Sequence, residues 1–331
     1  MARITISDVA KRAGVSSMTV SRVLNHKGEI SFSTRKLVQQ AIDELDYRPS
    51  TVARSLKTNR TMTIGMIIPD VTNPFFPEIV RGVEDTAWAQ NYTMVLCNTA
   101  EDRAREEATL RLLEANRVDG VILCSPRLSD EQLLPLLKRH SATVLVNRTV
   151  PGTIFDTVQV DDAYGTMCAV QHLLRDGRQV IGCLAGPSYS YSGQKRVQGF
   201  ITALESKGHI FNPDLVVNCS PNEEGGFKAS KELLTTHPEI DGLICYDDMV
   251  AIGALQACVE LNTHIPSDIA VIGCDDVRYA TLVTPALTTL RISKYDIGAS
   301  ASRMLLENIE GRSSQKEKIL TPELIIRASA P

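Results

Sequence analysis

Residues 5–25 read TISDVAKRAGVSSMTVSRVLN, and this stretch decides the fold of the first part of the chain. Its apolar residues recur, in two successive runs, at the three- and four-residue spacing of an amphipathic helix. Thr5 and Asp8 have the spacing of a capping box, and Ser16 is placed to cap the second helix. Gly14 suits the left-handed position that ends a helix. The stretch therefore predicts two short helices joined by a tight turn.

A third amphipathic helix is predicted over roughly 32–46. Its predicted inward residues are Leu37, Val38, Ala41, Ile42 and Leu45. Two short helices at a tight turn, braced by a third, form the helix-turn-helix plan, and a plain three-helix bundle is the alternative. The outward side of the second helix favours a nucleic-acid contact. It carries short hydrogen-bonding side chains and Arg22, where an ordinary solvated helix would carry more Glu and Lys.

Charge is distributed unevenly along the chain. The 331 residues carry a formal net charge of −4, but residues 1–60 hold eleven Lys and Arg against five Asp and Glu, a charge of +6. The other 271 residues therefore carry −10. A basic end on an acidic body indicates that contact with a polyanion is confined to the first part of the chain.

The first part of the chain resembles the DNA-binding headpiece of the LacI/GalR repressor family. The resemblance rests on ISDVA at 6–10, AGVS at 13–16 and TVSRVLN at 19–25. A second match, YRPS at 47–50 followed by ARSL at 53–56, resembles the hinge helix of that family. The resemblance implies a sequence-specific regulator, most often a repressor, that binds a pseudo-palindromic operator in double-stranded DNA as a homodimer.

The same resemblance implies roles for single residues. Ser17, Met18 and Arg22 occupy recognition-helix positions that read base edges, and Arg22 can pair bidentately with guanine. Leu56 occupies the position of the leucine that hinge helices insert into the minor groove, where it kinks the duplex. The full set of DNA-binding residues implied in this way is Thr5, Ser16, Ser17, Met18, Thr19, Ser21, Arg22, Asn25, Tyr47, Ala53 and Leu56.

From about residue 61 the pattern changes to short apolar runs, such as IGMIIP at 64–69 and GVILC at 120–124. Apolar strands that alternate with amphipathic helices predict parallel sheets covered on both faces. The plan repeats after about residue 180, which predicts two doubly wound lobes with a ligand cleft at the carboxyl ends of their strands. This body resembles the periplasmic sugar-binding-protein fold of the same family.

The fold class predicted is an all-α helix-turn-helix headpiece plus an α/β, periplasmic-binding-protein-like (type I) core of two doubly wound lobes. The predicted parts are a headpiece over 1–49, a hinge helix or linker over 50–60, and an effector-binding and dimerisation core over 61–331. The resemblance implies three crossings between the lobes. Lobe one then comprises about 61–161 and 291–320, and lobe two about 162–290 and 321–331.

Polar and aromatic residues at several strand ends converge on the predicted cleft. Each alone is ordinary turn or cap chemistry, but together they favour a site for a small-molecule effector, a sugar or sugar derivative. The effector-binding positions that the resemblance implies are Asn73, Phe75, Phe76, Asn147, Arg148, Arg196, Asp247 and Asp275.

Three positions depart from the family pattern. Asp247 stands where Asn is frequent, Pro221 where an aromatic residue commonly covers the ligand, and Ile292 where glutamine is frequent. Asp247 and Asp275 would also suit a ligand with a positive or strongly donating group. A sugar, a sugar derivative and a nucleoside therefore all stay open as the effector.

Several other classes of protein are disfavoured. No run of about 18 apolar residues could span a bilayer, and the start of the chain lacks the apolar core of a signal peptide, so a cytoplasmic location is expected. The eight cysteines are scattered without a CxxC pair, and neither a metal site nor a cofactor is expected. A periplasmic-type sugar-binding protein and an enzyme on the same core fold are the alternatives. The chain lacks a GxSxG elbow, a phosphate loop and a GxGxxG after its first strand.

Overall fold

The structure is a computed structural model, and it describes residues 4–25, 28–48, 60–312 and 316–331. The chain divides into two compact units, Met1–Thr61 and Met62–Pro331. The predicted hinge segment, with Ala53 and Leu56, lies outside the described residues except for Arg60.

The first unit contains three helices, α1 (Ile6–Ala13), α2 (Ser17–Leu24) and α3 (Phe32–Glu44). The predicted capping box is confirmed, because the Thr5 amide donates to the Asp8 carboxylate at 2.8 Å and the Asp8 amide donates to the Thr5 hydroxyl at 3.4 Å. Gly14 ends α1 with a left-handed φ of 67°. Ser16 caps α2 by accepting from the Thr19 amide at 3.1 Å. Local sequence signals therefore determine where these helices begin and end.

The three helices enclose a small apolar core. Its buried members are Val9, Ala10, Val20, Val23, Val38, Ala41 and Tyr47. The prediction that Leu37 faces inward is wrong, since its side chain is 53% exposed. The buried stripe of α3 is centred on Val38 and Ala41. Successive residues of a helix are turned by about 100° around its axis, so Leu37 lies to one side of this stripe.

The second unit consists of two lobes, each built on a six-stranded sheet. The strands of lobe one are β1 (Thr63–Ile68), β2 (Thr93–Asn98), β3 (Gly120–Cys124), β4 (Thr143–Val146), β5 (Asp156–Val160) and β11 (Glu317–Leu320). They pair in parallel in the order β11-β5-β4-β3-β1-β2. Its helices are α4 (Phe76–Trp88), α5 (Arg103–Ala115), α6 (Asp130–Leu137) and α11 (Lys294–Ile309).

Both faces of the lobe-one sheet are covered, as the apolar strands predict. Ile64 and Met66 of β1 pack on one side with Ile79 of α4 and Leu305 of α11. Ile67 points to the other side and packs with residues of α5 and α6. Because successive residues of a strand face opposite ways, a strand buried on both faces must be apolar throughout.

Lobe two repeats the plan. Its strands are β6 (Ile181–Gly186), β7 (Val216–Asn218), β8 (Gly242–Cys245), β9 (Ala270–Asp275), β10 (Thr288–Arg291) and β12 (Glu323–Ile325), and its helices are α7 (Asp162–Arg175), α8 (Tyr191–Ser206), α9 (Glu223–Thr236) and α10 (Asp248–Glu260). The sheet order is β12-β10-β9-β8-β6-β7. The sheet is parallel except at its edge, where β12 pairs with β10 in the antiparallel direction.

The chain passes between the two sheets three times, after β5, after β10 and after β11. The strand ends that meet the other lobe are carboxyl ends. When the chain leaves β11 it therefore enters lobe two at that same edge, and β12 must run away from it. This explains the antiparallel edge. No helix within the described residues is both long and apolar enough to cross a lipid bilayer.

Candidate functional site

The outer face of α2 carries the side chains to which the family resemblance gives a role in base reading. Val20 and Val23 point into the core, so Ser17, Met18 and Arg22 point outward. Met18 is 65% exposed. Arg22 is exposed, and no described carboxylate pairs with it. The guanidinium is therefore available for a bidentate contact with an acceptor outside the headpiece.

The polar residues around α2 are oriented by short-range hydrogen bonds. The hydroxyls of Ser16 and Thr19 lie 2.9 Å apart. Asn25 Nδ2 donates to the carbonyl of Ser21 at 2.7 Å. Thr5 is held in the capping box of α1. The structure thus brings Ser16, Thr19, Ser21 and Asn25 to one short helix and its two ends.

Tyr47 is placed differently from the other predicted DNA-binding residues of the headpiece. Only 9% of it is exposed, and its ring belongs to the apolar core of the headpiece. The packing of the ring accounts for an aromatic residue at this position. Ala53 and Leu56 lie outside the described residues.

A cavity lies between the two lobes, at the carboxyl ends of their strands. Seven of the eight predicted effector positions line it: Asn73, Phe75, Phe76, Asn147, Arg196, Asp247 and Asp275. Its volume is about 30 Å³. A buried water needs roughly 10–15 Å³ by this kind of measure, so the cavity has room for only a few waters. The lobes are therefore closed on each other, and a sugar-sized ligand requires them to separate.

Arg148 is the predicted effector position that does not line this cavity. Its guanidinium binds the Asp130 carboxylate at 2.6 Å and the Leu128 carbonyl at 3.4 Å. It also lies 5.5 Å from the ring centroid of Tyr191. These contacts hold the Arg148 side chain away from the cavity that Asn147 lines.

Arg196 is the centre of the lobe-two side of the cavity. Its Nε donates to Asp162 Oδ1 at 2.8 Å, and its Nη2 lies 3.8 Å from Asp275 Oδ1. Its Nη1 donates to the carbonyl of Tyr246, and its Cζ lies 4.9 Å from the centroid of that ring. The guanidinium is thus fixed in place by the protein before any ligand binds.

The cavity holds two buried carboxyl groups beside Arg196. Burial raises the pKa of Asp275 to about 7, although Arg196 opposes the shift. Burial also raises the pKa of Asp247, and the amide of Val250 opposes that shift. One oxygen of Asp247 accepts from Val250 at 2.8 Å, and the other accepts from Asn73 Nδ2, across the cleft, at 3.2 Å. Carboxyl oxygens placed in this way can accept from ligand hydroxyls or from a cation.

Asn147 follows β4 with a left-handed φ of 53°. Its Oδ1 atom is buried and has no hydrogen-bond partner within the described residues. A buried acceptor without a partner is unusual and indicates that a ligand or water completes the site. Phe75 and Phe76 supply apolar surface nearby, with their ring centroids 5.2 Å apart at an interplanar angle of 82°.

Sequence reasoning missed several residues that line the cavity, namely Glu101, Ser125, Arg127, Ser192 and Tyr246. Arg127 binds Glu101 through two atoms, with Nε to Oε2 at 2.6 Å and Nη2 to Oε1 at 2.8 Å. Ser125 directly follows β3 and has a left-handed φ of 46°. The rule that polar strand ends meet in the cleft, applied to every strand of lobe one, would have found Ser125 and its neighbour Arg127.

The departures from the family pattern have different consequences. Pro221 does line the cavity, so one wall is a small ring instead of a large aromatic one. Ile292 belongs to the apolar core of lobe one and does not line the cavity. No group of three or more potential metal ligands is present among the described residues. The site instead combines guanidinium, carboxyl, amide and aromatic groups, which is the usual chemistry of polyol recognition.

Comparisons with known proteins identify both units. Residues 5–50 match the model of bacterial regulatory proteins of the lacI family. Residues 61–328 match the model of periplasmic binding proteins and the sugar binding domain of the LacI family. Together these two matches cover nearly the whole chain.

Individual proteins are similar over the same length. The ribose operon repressor of Halalkalibacterium halodurans is 39% identical over 330 residues, which is 98% of this chain and 96% of that protein. The transcriptional repressor PurR of Pectobacterium carotovorum is 37% identical over 336 residues, 98% of this chain and 96% of that protein. A lac repressor dimer bound to operator and the anti-inducer ONPF matches with a TM-score of 0.90 at 26% identity, covering 99% of each chain.

The helix-turn-helix motif, the two-lobed core and the matches over both therefore agree, and the resemblance and fold class stated from the sequence are confirmed. The chain belongs to the LacI family of bacterial regulatory proteins.

Proposed function

We propose that this protein is a transcriptional repressor whose affinity for its operator is controlled by a small molecule bound between the two lobes. The relatives are themselves repressors and not enzymes. Since one helix-turn-helix reads only a half-site, the protein acts as a homodimer on a pseudo-palindromic operator. The similar lac repressor structure is likewise a dimer bound to operator. A regulator of this kind works in the cytoplasm, where the DNA is.

The observation that carries the effector assignment is the convergence on one cavity between the lobes of Arg196, Asp275 and Asn147, whose Oδ1 atom has no partner among the described residues. A planar guanidinium and carboxyl oxygens can each hold two hydroxyls, and the phenylalanine rings cover an apolar sugar face. We therefore propose a sugar or sugar derivative as the effector.

The proposed mechanism is an equilibrium between lobe arrangements. A ligand that binds one arrangement better than the other shifts the population toward it. If only one arrangement lets the headpieces of the dimer fit the operator, effector and operator binding become linked.

A two-step experiment tests this function. A thermal-shift panel of D-ribose, D-galactose, cellobiose and adenosine should give at least one saturable stabilisation of the full-length protein. A gel shift with an operator selected from random DNA should then change when that ligand is added. A ligand that saturates the protein and leaves operator affinity unchanged would overturn the coupling.

A variant ties the ligand to the cavity. Arg196→Lys keeps the charge and loses the planar fork, so the stabilisation by ligand should weaken by about tenfold in apparent affinity. The control is Arg175→Lys, the same change at an exposed position of α7. Equal ligand affinity in the two variants would place the ligand elsewhere.

A further inference from the structure

Two tyrosines, one in the loop that joins β6 to α8 and one at the start of α8, reach across the cleft. Tyr189 lies in this loop, and Tyr191 begins α8 in lobe two. The guanidinium carbons of Arg103 and Arg127, both in lobe one, lie 4.7 Å and 5.8 Å from the ring centroid of Tyr189. Both distances are within the range of cation–π attraction. The ring therefore joins the two lobes.

Tyr191 makes a second contact between the lobes. Its hydroxyl lies 2.7 Å from Thr149 Oγ1, which follows β4 in lobe one. Arg148 lies 5.5 Å from the centroid of the same ring, and the salt bridge with Asp130 fixes the position of its guanidinium. A hydrogen bond and a cation–π contact thus meet on one side chain.

These contacts are continuous with the effector cavity. Arg127 is only 4% exposed and lines the cavity together with Glu101, to which it is bound through two atoms. Tyr189 therefore packs on Arg127, whose position is fixed by Glu101 in the wall of the cavity. A movement of Glu101 or Arg127 that accompanies ligand binding would change the contact with Tyr189.

We propose that Tyr189 and Tyr191 form a tyrosine latch, a pair of positioning residues that holds lobe two closed on Arg103, Arg127 and Thr149 of lobe one. The latch sets the fraction of molecules in the closed arrangement. Its effect on ligand affinity rests on the function proposed above, but its effect on closure does not.

The first measurement is hydrogen–deuterium exchange of the full-length protein without ligand. Exchange of the amides in residues 98–104 and 187–192 reports separation of the lobes. Tyr189→Leu removes the ring and should speed exchange there about three- to tenfold, whereas Tyr189→Phe keeps the ring and should behave as wild type. Rescue by phenylalanine separates the ring contact from general packing.

A matched pair of exposed residues serves as the control. Arg103→Ala removes a partner of Tyr189, while Arg105→Ala removes the same charge two residues later on α5 and touches no residue of the latch. Arg103→Ala should speed exchange of residues 187–192, and Arg105→Ala should not. Because Arg103 is exposed, this pair decides the question even where Tyr189→Leu fails to fold.

The second measurement is ligand affinity, with whichever of D-ribose, cellobiose or adenosine stabilises the wild type. Because a sugar-sized ligand requires the lobes to separate, a lower closed fraction leaves more of the protein able to bind it, so Tyr189→Leu and Arg103→Ala should lower the apparent Kd about three- to tenfold. Tyr191→Phe and Thr149→Val should each tighten binding, and the double variant should gain no more than either alone.

The outcomes separate the two proposals. If Tyr189→Leu and Arg103→Ala exchange as the wild type does, or if Arg105→Ala changes exchange equally, the latch is overturned. If the exchange results are as expected and no ligand of the panel binds the wild type, the latch stands and the proposed effector class fails.

Discussion

At the scale of the residue, the arginines proposed to bind DNA and those that line the effector cavity have different surroundings. Arg22 has no ion-pair partner among the described residues of the headpiece, whereas Arg196 and Arg127 are each held by a carboxylate. An exposed cation is solvated by water and can stay unpaired until an acceptor binds. A buried cation must already be paired in the unliganded protein, because burying an unpaired charge costs much free energy.

We propose that Arg22 reads a base bidentately, and we therefore expect Arg22→Ala to weaken operator binding by about 1–3 kcal/mol and to relax the preference at one base pair. Gel shifts with the operator and with a scrambled duplex measure both effects. Lys36→Ala, which removes an exposed charge from α3, is the control and should leave the ratio of the two affinities unchanged. A wild-type ratio in Arg22→Ala would rule out this assignment.

Asp275 should make stability depend on pH. Its pKa is raised by burial to about 7 in the folded protein, above the value of about 3.9 in an unfolded chain. The native state therefore binds more protons between these values, and stability falls as pH rises from about 4 to 7. Asp275→Asn, which cannot ionise, should remove that loss, on the order of 1–4 kcal/mol.

Urea unfolding of both proteins at pH 5 and pH 8 measures the effect. Between pH 5 and pH 8 the free energy of unfolding should fall less for Asp275→Asn than for the wild type. The same pH dependence in both proteins would mean that Asp275 is not the group responsible.

At the scale of the element, lobe one depends on a close approach of α4 and α11. A Cβ atom added to Gly298 would lie 2.0 Å from the carbonyl oxygen of Ile79, and one added to Gly82 would lie 2.2 Å from that of Tyr295. Each of the two helices thus has a glycine in close contact with the backbone of the other. Side chains of ordinary size would force them apart.

We therefore expect Gly298→Ala to destabilise the protein by on the order of 1–3 kcal/mol, because the clash is with backbone and not with a side chain that can turn away. Chemical denaturation measures the free energy of unfolding. Glu84→Ala, at an exposed position of α4, is the control and should change stability by less than about 0.5 kcal/mol. Similar stability of both variants would show that the helices can separate at little cost.

The sequence predicted elements best where the signal is local. The capping box of Thr5 and Asp8, the left-handed Gly14 and the cap at Ser16 each depend on neighbours within four residues, and all three are present. The sequence failed where the partner is distant. The pairing of Arg127 with Glu101 joins positions 26 apart, and the salt bridge that diverts Arg148 depends on Asp130.

The effector positions show the same limit. The family pattern pointed to seven residues that the structure brings to one cavity, but it did not reveal that the cavity is closed to about 30 Å³. The antiparallel β12 also escaped prediction, because its direction depends on which lobe the chain has just left.

At the scale of the whole molecule, control requires that ligand binding and operator binding be linked. If a ligand lowers operator affinity by a given factor, the operator must lower ligand affinity by the same factor. We expect this equality when operator affinity is measured with and without saturating ligand, and ligand affinity with and without saturating operator. Scrambled DNA is the control. Unequal factors would show that a third equilibrium, such as dimer dissociation, intervenes.

The three crossings between the sheets also govern the order in which the protein can be completed on the ribosome. Helix α11 and strand β11 belong to lobe one, yet they are synthesised after nearly all of lobe two. Until α11 emerges, the face of the sheet that carries Ile64 and Met66 lacks Leu305 and the other residues with which α11 covers it. Nascent chains expose apolar surface of this kind to chaperones and to one another. Lobe one is built from two separate segments of the chain, so one face of its sheet stays partly uncovered while most of lobe two is synthesised.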